Sequence, residues 1–217
     1  MVFERNGINL IYEDPLQDGL VLKDYIQKPF DPDGGRFDYG QEEKTQQLHA
    51  HTYMGQWLAE PISEYSLKIS SLSDTKLGIQ SVRIFDLYPG SPCLKITQSM
   101  KNISNESTEY FFWGRTLVKP EGKLFMPVNP ESIHPDKWGR YIWGEPEQFL
   151  SDSNDQGVSV KDGILSIIPL NAKNEKYGTD SHEGWMAYGY KSLLFVKKYD
   201  YFPELRYGEK YGLTSIF

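Results

Sequence analysis

The 217-residue sequence predicts an all-β fold, an antiparallel β-sandwich. Three observations carry that expectation. Aromatic residues make up 14% of the chain, with 15 Tyr, 11 Phe and 5 Trp, and aromatic side chains suit the pleated, half-buried surface of a strand. Apolar residues recur at a spacing of two rather than at helical spacing. Clusters of Gly, Asn, Asp, Pro and Ser divide the apolar runs into about ten short segments, as in sandwiches and barrels.

Taken in order, Ile8–Tyr12 reads as a strand stopped by Glu13-Asp14-Pro15. Residues from about Gln17 to Gln47 lack periodicity and read as a long loop region. From Tyr53 the strands become regular. Tyr65, Leu67 and Ile69 alternate, followed by Leu77 and Ile79 and then Val82 and Ile84, with a phase slip at Gln80-Ser81 that predicts a β-bulge. Leu94, Ile96, Gln98 and Met100 alternate next and end at the turn cluster Asn102–Asn105. Asn102-Ile103-Ser104 and Asn105-Glu106-Ser107 fit a glycosylation pattern but read as a polar hairpin turn. Tyr110–Leu117 is expected to return as the antiparallel partner of the preceding strand. Further strands are expected at Lys123–Met126, Arg140–Trp143, Val158–Val160, Ile164–Ile168, Trp185–Tyr190, Leu193–Lys198 and Leu213–Phe217. The best helix candidate is a short turn from Glu145 to Ser151, opened by Pro146. No repeat or composition break marks a second domain, so residues 1–217 are expected to form one sandwich domain.

A net charge of −7 speaks against nucleic acid and against an anionic membrane surface as partners. Cys93 is the only cysteine, which removes intrachain disulfides and cysteine zinc sites. A reducing compartment and the bacterial periplasm both suit such a chain. No segment approaches the roughly 20 apolar residues of a membrane span.

His49-Ala50-His51 would place two imidazoles on one side of a strand. Two ligands do not make a metal site, and neither a metal nor a cofactor is expected. Asp180-Ser181-His182-Glu183 is the densest polar cluster and sits just before a strand. Either it is a solvated loop, or Asp180 and His182 supply acid/base groups together with His134. Trp113 and Arg115 share one strand face, where a buried guanidinium needs partners. Either Arg115 pairs with a protein carboxylate, or Trp113 stacks on a sugar ring and Arg115 binds its hydroxyls or carboxylate. Trp57, Arg140 and Trp185 repeat the pairing of aromatic or cationic side chains with polar neighbours and join the candidate binding set. Arginines beside stacking aromatics hint at acidic sugars such as uronic acids. Gly-rich phosphate loops, G-x-S-x-G elbows and H-E-x-x-H motifs are missing from the sequence.

Ser99-Met100-Lys101-Asn102-Ile103-Ser104 followed by Phe112-Trp113-Gly114-Arg115-Thr116 resembles an uncharacterised bacterial group with the galactose-mutarotase-like supersandwich fold. Gly34–Asp38, Gly55-Gln56-Trp57, Lys176–Asp180, Gly184–Tyr188 and Leu194–Lys197 fit the same group. The resemblance covers most of the chain and implies the fold more firmly than an activity. Such supersandwiches occur in aldose 1-epimerases and as modules of polysaccharide hydrolases and lyases. The epimerases open the sugar ring with a His acid and a Glu base. At the strand matched by the hairpin this chain has Phe112-Trp113-Gly114-Arg115 and no His, and arginine is no proton donor near neutral pH. The resemblance also implies strands before Met1 and after Phe217, so the chain is expected to be a fragment, short at both ends.

Three functions stand at this point. One is a carbohydrate-active enzyme or its remnant, using His134, Asp180 and His182 on a mono- or oligosaccharide. Another is a non-catalytic sugar-binding module built from the same aromatics. The third is a structural or interaction sandwich whose aromatics simply fill two sheets.

Overall fold

The computed structural model describes residues 4–28, 34–40, 54–142, 148–150, 155–170, 175–207 and 211–216. The chain folds into two compact units. One spans Ile11–Leu117, and the other joins the segment ending at Leu10 to the residues from Val118 onward. Within both, the sheets are antiparallel and strands dominate, so the fold is all-β and sandwich-like.

The second unit begins with a hairpin of β1 (Glu4–Arg5) and β2 (Ile8–Asn9). The chain then enters the first unit. A short 3-10 turn, Pro15–Gln17, is capped by Asp14, whose Oδ1 accepts from Leu16 N at 3.0 Å. Helix α1 (Leu22–Gln27) follows inside the region expected to be loop. Its first turn is closed by Asp24, which accepts from Val21 N at 2.9 Å. At 6 residues the helix is too short for its apolar spacing to register.

Among the described residues the first unit has two sheets. Strand β3 (Gly35–Gly40) pairs with β8 (Phe111–Thr116). Strands β4 (Trp57–Ser63), β5 (Ser66–Ser71), β6 (Ile79–Leu87) and β7 (Leu94–Asn102) form a meander in that order. The partner of Tyr110–Leu117 is therefore β3, drawn from the presumed loop, and not β7. Sequence proximity favoured β7, but the long-range pair runs from Gly35↔Thr116 to Gly40↔Phe111. The expected bulge at Gln80-Ser81 is also corrected. Strand β6 pairs without interruption from Ile79↔Asn102 to Leu87↔Leu94. Ser81 takes an interior position in phase with Ile79 and is 0% exposed. The irregularity lies instead between Pro61 and Ser63 on β4, an edge strand where a residue without an N–H is tolerated.

The core of this unit gathers Tyr39, Leu77 and Ile79, with Trp57, Met100, Tyr110 and Phe112 packed against it. Its hydroxyls are hydrogen-bonded. Tyr39 and Ser81 share a hydroxyl–hydroxyl bond of 2.5 Å, Ser81 N donates to Ser71 Oγ at 2.9 Å, and the Tyr110 hydroxyl donates to Leu77 O at 3.1 Å. The Asn102 turn forms as expected, with Asn102 Nδ2 donating to Glu106 O at 2.8 Å and Oδ1 accepting from Ser104 N at 2.9 Å.

Besides its opening hairpin, the second unit carries two further sheets among the described residues. One sheet has the order β12-β13-β9-β15-β16, from β12 (Val158–Lys161), β13 (Ile164–Ile167), β9 (Lys123–Pro127), β15 (Trp185–Tyr190) and β16 (Leu193–Lys198). The other has the order β11-β10-β14-β17, from β11 (Gln148–Leu150), β10 (Gly139–Ile142), β14 (Glu175–Thr179) and β17 (Ser215–Ile216). Gln148–Leu150 is thus a strand paired with β10 where a helical turn was expected; the cross-strand partner overrides the local Pro-initiated signal. Leu10, Leu124, Met126, Val128, Trp138, Leu165, Ile167, Tyr177 and Tyr188 form the core. The Tyr188 hydroxyl donates to Lys119 O at 2.6 Å and accepts from Gly122 N at 2.8 Å, which seats the turn entering β9. Among the described residues no helix is long and apolar enough to cross a membrane.

Candidate functional site

The site develops where β14 ends and the chain crosses to β15. Interior packing continues past the strand: Thr179, Asp180 and Ser181 are all buried. The main chain is held from one side by Thr214, whose N donates to Thr179 O at 2.9 Å and whose hydroxyl donates to Ser181 O at 2.5 Å. From another side comes the loop after β9. Asn129 Oδ1 accepts from Glu131 N at 2.9 Å and Nδ2 donates to Asp180 O at 3.4 Å. Asp180 Oδ2 in turn accepts from Ile133 N at 3.0 Å. The carboxylate therefore orders the 129–133 loop, which carries Glu131 to the surface.

Gly184 sets the third wall. Its φ of +66° lies in the left-handed region, and a Cβ there would stand 2.3 Å from Tyr199 O. Without that Cβ, Tyr199 N donates to Gly184 O at 2.8 Å. This close approach brings Tyr201 onto His182, with ring centroids 4.4 Å apart and planes at 13°. Tyr207 stacks on Tyr201 in turn, at 4.9 Å and 24°. Its hydroxyl accepts from Phe202 N at 2.8 Å, which closes the loop.

These segments line a cleft of about 310 Å³ formed by Asn129, Glu131, Ile133, Asp180, His182, Tyr201, Leu205, Tyr207, Gly212 and Thr214. The volume is at the lower end of ligand-binding clefts. Asp180 is only 6% exposed, and its Oδ1 has no hydrogen-bond partner among the described residues. His182 is exposed, while Tyr201 and Tyr207 are half-buried. The arrangement offers an aromatic run, two carboxylates and an imidazole around a volume suited to a small polar molecule.

Of the residues expected to be catalytic, Asp180 and His182 share this cleft. His134 follows Ile133 directly but is buried and outside the lining. The expected binding residues lie elsewhere. Arg115 is held by the buried Asp38 carboxylate at 2.8 Å and lies 5.9 Å from the Trp113 ring centroid, all within the first unit. Trp57 packs on that unit's core. Trp185 opens β15 opposite Lys198. Arg140 forms ion pairs with Asp155 at 3.1 Å and Glu175 at 3.5 Å. Tyr177, its cross-strand neighbour, donates to Glu175 at 2.9 Å and stacks on Trp138 at 6.1 Å. Burial lowers the Arg140 pKa, but the Tyr177 hydrogen bond and the Glu175 and Asp155 charges outweigh it, so the net direction is upward. Both guanidiniums thus pair with protein carboxylates, the first of the two readings the sequence offered for Arg115.

The polar and aromatic cleft residues that sequence reasoning missed are Asn129, Glu131, Tyr201, Tyr207 and Thr214. The Asn129-Pro130-Glu131-Ser132 turn and the Tyr199-Asp200-Tyr201 run carry a local signal, but only as loop chemistry. His49, His51 and Trp143 lie outside the described residues. Among the described residues no group of three or more His, Cys, Asp or Glu is placed to hold a metal. No protein-family model, no curated protein and no solved structure matches the chain.

Proposed function

We propose that the chain handles carbohydrate and that the cleft around Asp180 and His182 binds a monosaccharide or the end unit of an oligosaccharide. The observation that carries this reading is the run of rings from His182 through Tyr201 to Tyr207 beside Asp180 and Glu131. Sugars present an apolar C–H face and a rim of hydroxyls, and they suit sites that combine aromatic surface with hydrogen-bond acceptors. The resemblance to the galactose-mutarotase-like group points to the same ligand class.

Binding without turnover has its own support. The stretch that the resemblance matches to the epimerase histidine strand is β8, and its Arg115 is tied to Asp38. If the site is catalytic, Asp180 and His182 are its acid/base groups, because they are the titratable members of the expected set that the cleft contains.

Titration calorimetry with a panel of monosaccharides tests the proposal. Saturable binding that weakens about tenfold in Tyr201→Ala, which removes the middle ring of the stack, and survives in Tyr201→Phe, is expected for an aromatic wall. Sugar affinity unchanged by Tyr201→Ala, or no binding across the panel, would remove the cleft from consideration.

A further inference from the structure

We infer that the cleft takes a ligand carrying an ammonium group, which on the sugar reading above is an amino sugar rather than a uronic acid. The inference rests on that reading for its ligand class and on the charge of the lining for its selectivity.

Asp180 and Glu131 bring two carboxylates to the cleft, and among the described residues no Lys or Arg lines it. Asp180 is more than nine-tenths buried, with one oxygen engaged by Ile133 N and the other without a partner among the described residues. A carboxylate oxygen left without a donor in a buried setting is costly unless something else supplies one. An ammonium group offers three donors and a positive charge. Tyr207, the outer ring of the stack, adds an aromatic face that attracts a cation. A uronate would bring a third negative charge to the same space with no guanidinium to meet it, since Arg115 and Arg140 are committed to Asp38 and to Asp155 and Glu175. Two carboxylates, the Tyr207 ring and an unsatisfied buried oxygen therefore discriminate by charge rather than by shape.

Calorimetry on the full chain at neutral pH, with glucosamine, N-acetylglucosamine, glucose, glucuronate and cyclohexylamine as probes, tests this. Glucosamine is expected to bind about tenfold more tightly than glucose or N-acetylglucosamine, with glucuronate the weakest. The exposed Glu131→Gln variant should reduce the preference for glucosamine over glucose about threefold. Asp180→Asn should reduce that preference further. Equal affinity for glucosamine and glucose, or tightest binding of glucuronate, would overturn the ammonium inference and leave the sugar reading standing. Cyclohexylamine binding as tightly as glucosamine would support the ammonium inference and sink the sugar reading. Failure of every probe to bind would sink both.

Discussion

Asp180 accepts a hydrogen bond from the Ile133 backbone at 3.0 Å, joining the end of β14 to the loop after β9, two segments 47 residues apart in sequence. The same carboxylate that lines the cleft is therefore a structural tie. Asp180→Ala should destabilise the protein by about 1–3 kcal/mol, the worth of a hydrogen bond to a carboxylate. Asp180→Asn keeps an acceptor oxygen and should recover most of that loss. Urea denaturation of the two variants checks the difference; equal destabilisation would show that charge, not the hydrogen bond, is what Ile133 N requires.

Gly184 permits the contact that stacks Tyr201 on His182. Gly184→Ala adds a Cβ 2.3 Å from Tyr199 O at a φ of +66°. Left-handed strain alone costs about 1–2 kcal/mol, and the main-chain clash adds to it. A loss above about 2 kcal/mol is expected, together with loss of sugar binding. A variant as stable as the parent would show that the 199–201 segment can retreat without consequence.

The Tyr177 phenol is neutral at ordinary pH, and its pKa is pushed upward first by burial and then by its hydrogen bond to Glu175. A folded pKa raised above the unfolded value of about 10 makes a stabilising contribution that is fully present below about pH 10 and is lost as pH climbs beyond it. Tyr188 is raised by burial as well. Tyr177→Phe should cost about 1–2 kcal/mol at pH 7 by removing a donor to a carboxylate. The gap between variant and parent should narrow as pH rises above 10. Thermal melts from pH 7 to 11 test this, and a gap that widens with pH would contradict the assignment.

Arg115 is 33% exposed in its side chain and Asp38 only 7%. Arg115→Ala should cost about 2–3 kcal/mol, mainly because Asp38 is left buried without this partner. Sugar affinity should change less than twofold, since neither residue lines the cleft. Sugar binding abolished in a variant that remains folded would return Arg115 to the binding set.

How much was legible in advance depends on the range of the interaction involved. Period-two alternation located β7, β15 and β16, because a strand buried on one face writes its orientation into every second residue. The Asp180–His182 cluster was also visible, as polar chemistry packed against a strand. Strand β3 was not visible: Gly35-Arg36-Phe37-Asp38-Tyr39-Gly40 has glycine at both ends, and its strand state depends on β8, more than 70 residues later. Ser81 was misread because a hydroxyl can take a core position only when a partner such as Tyr39 waits across the core. Glu131, Tyr201 and Tyr207 join Asp180 in one cleft through a side-chain bond to Ile133 and a glycine that yields to Tyr199. The sequence by itself determined the all-β class, most of the strands and one edge of the cleft. The tertiary structure decided the pairing of β3 with β8, the internal use of Arg115 and Arg140, and the assembly of the cleft. Local residue patterns record which face of a strand is buried, but they do not record which distant residue will meet it there.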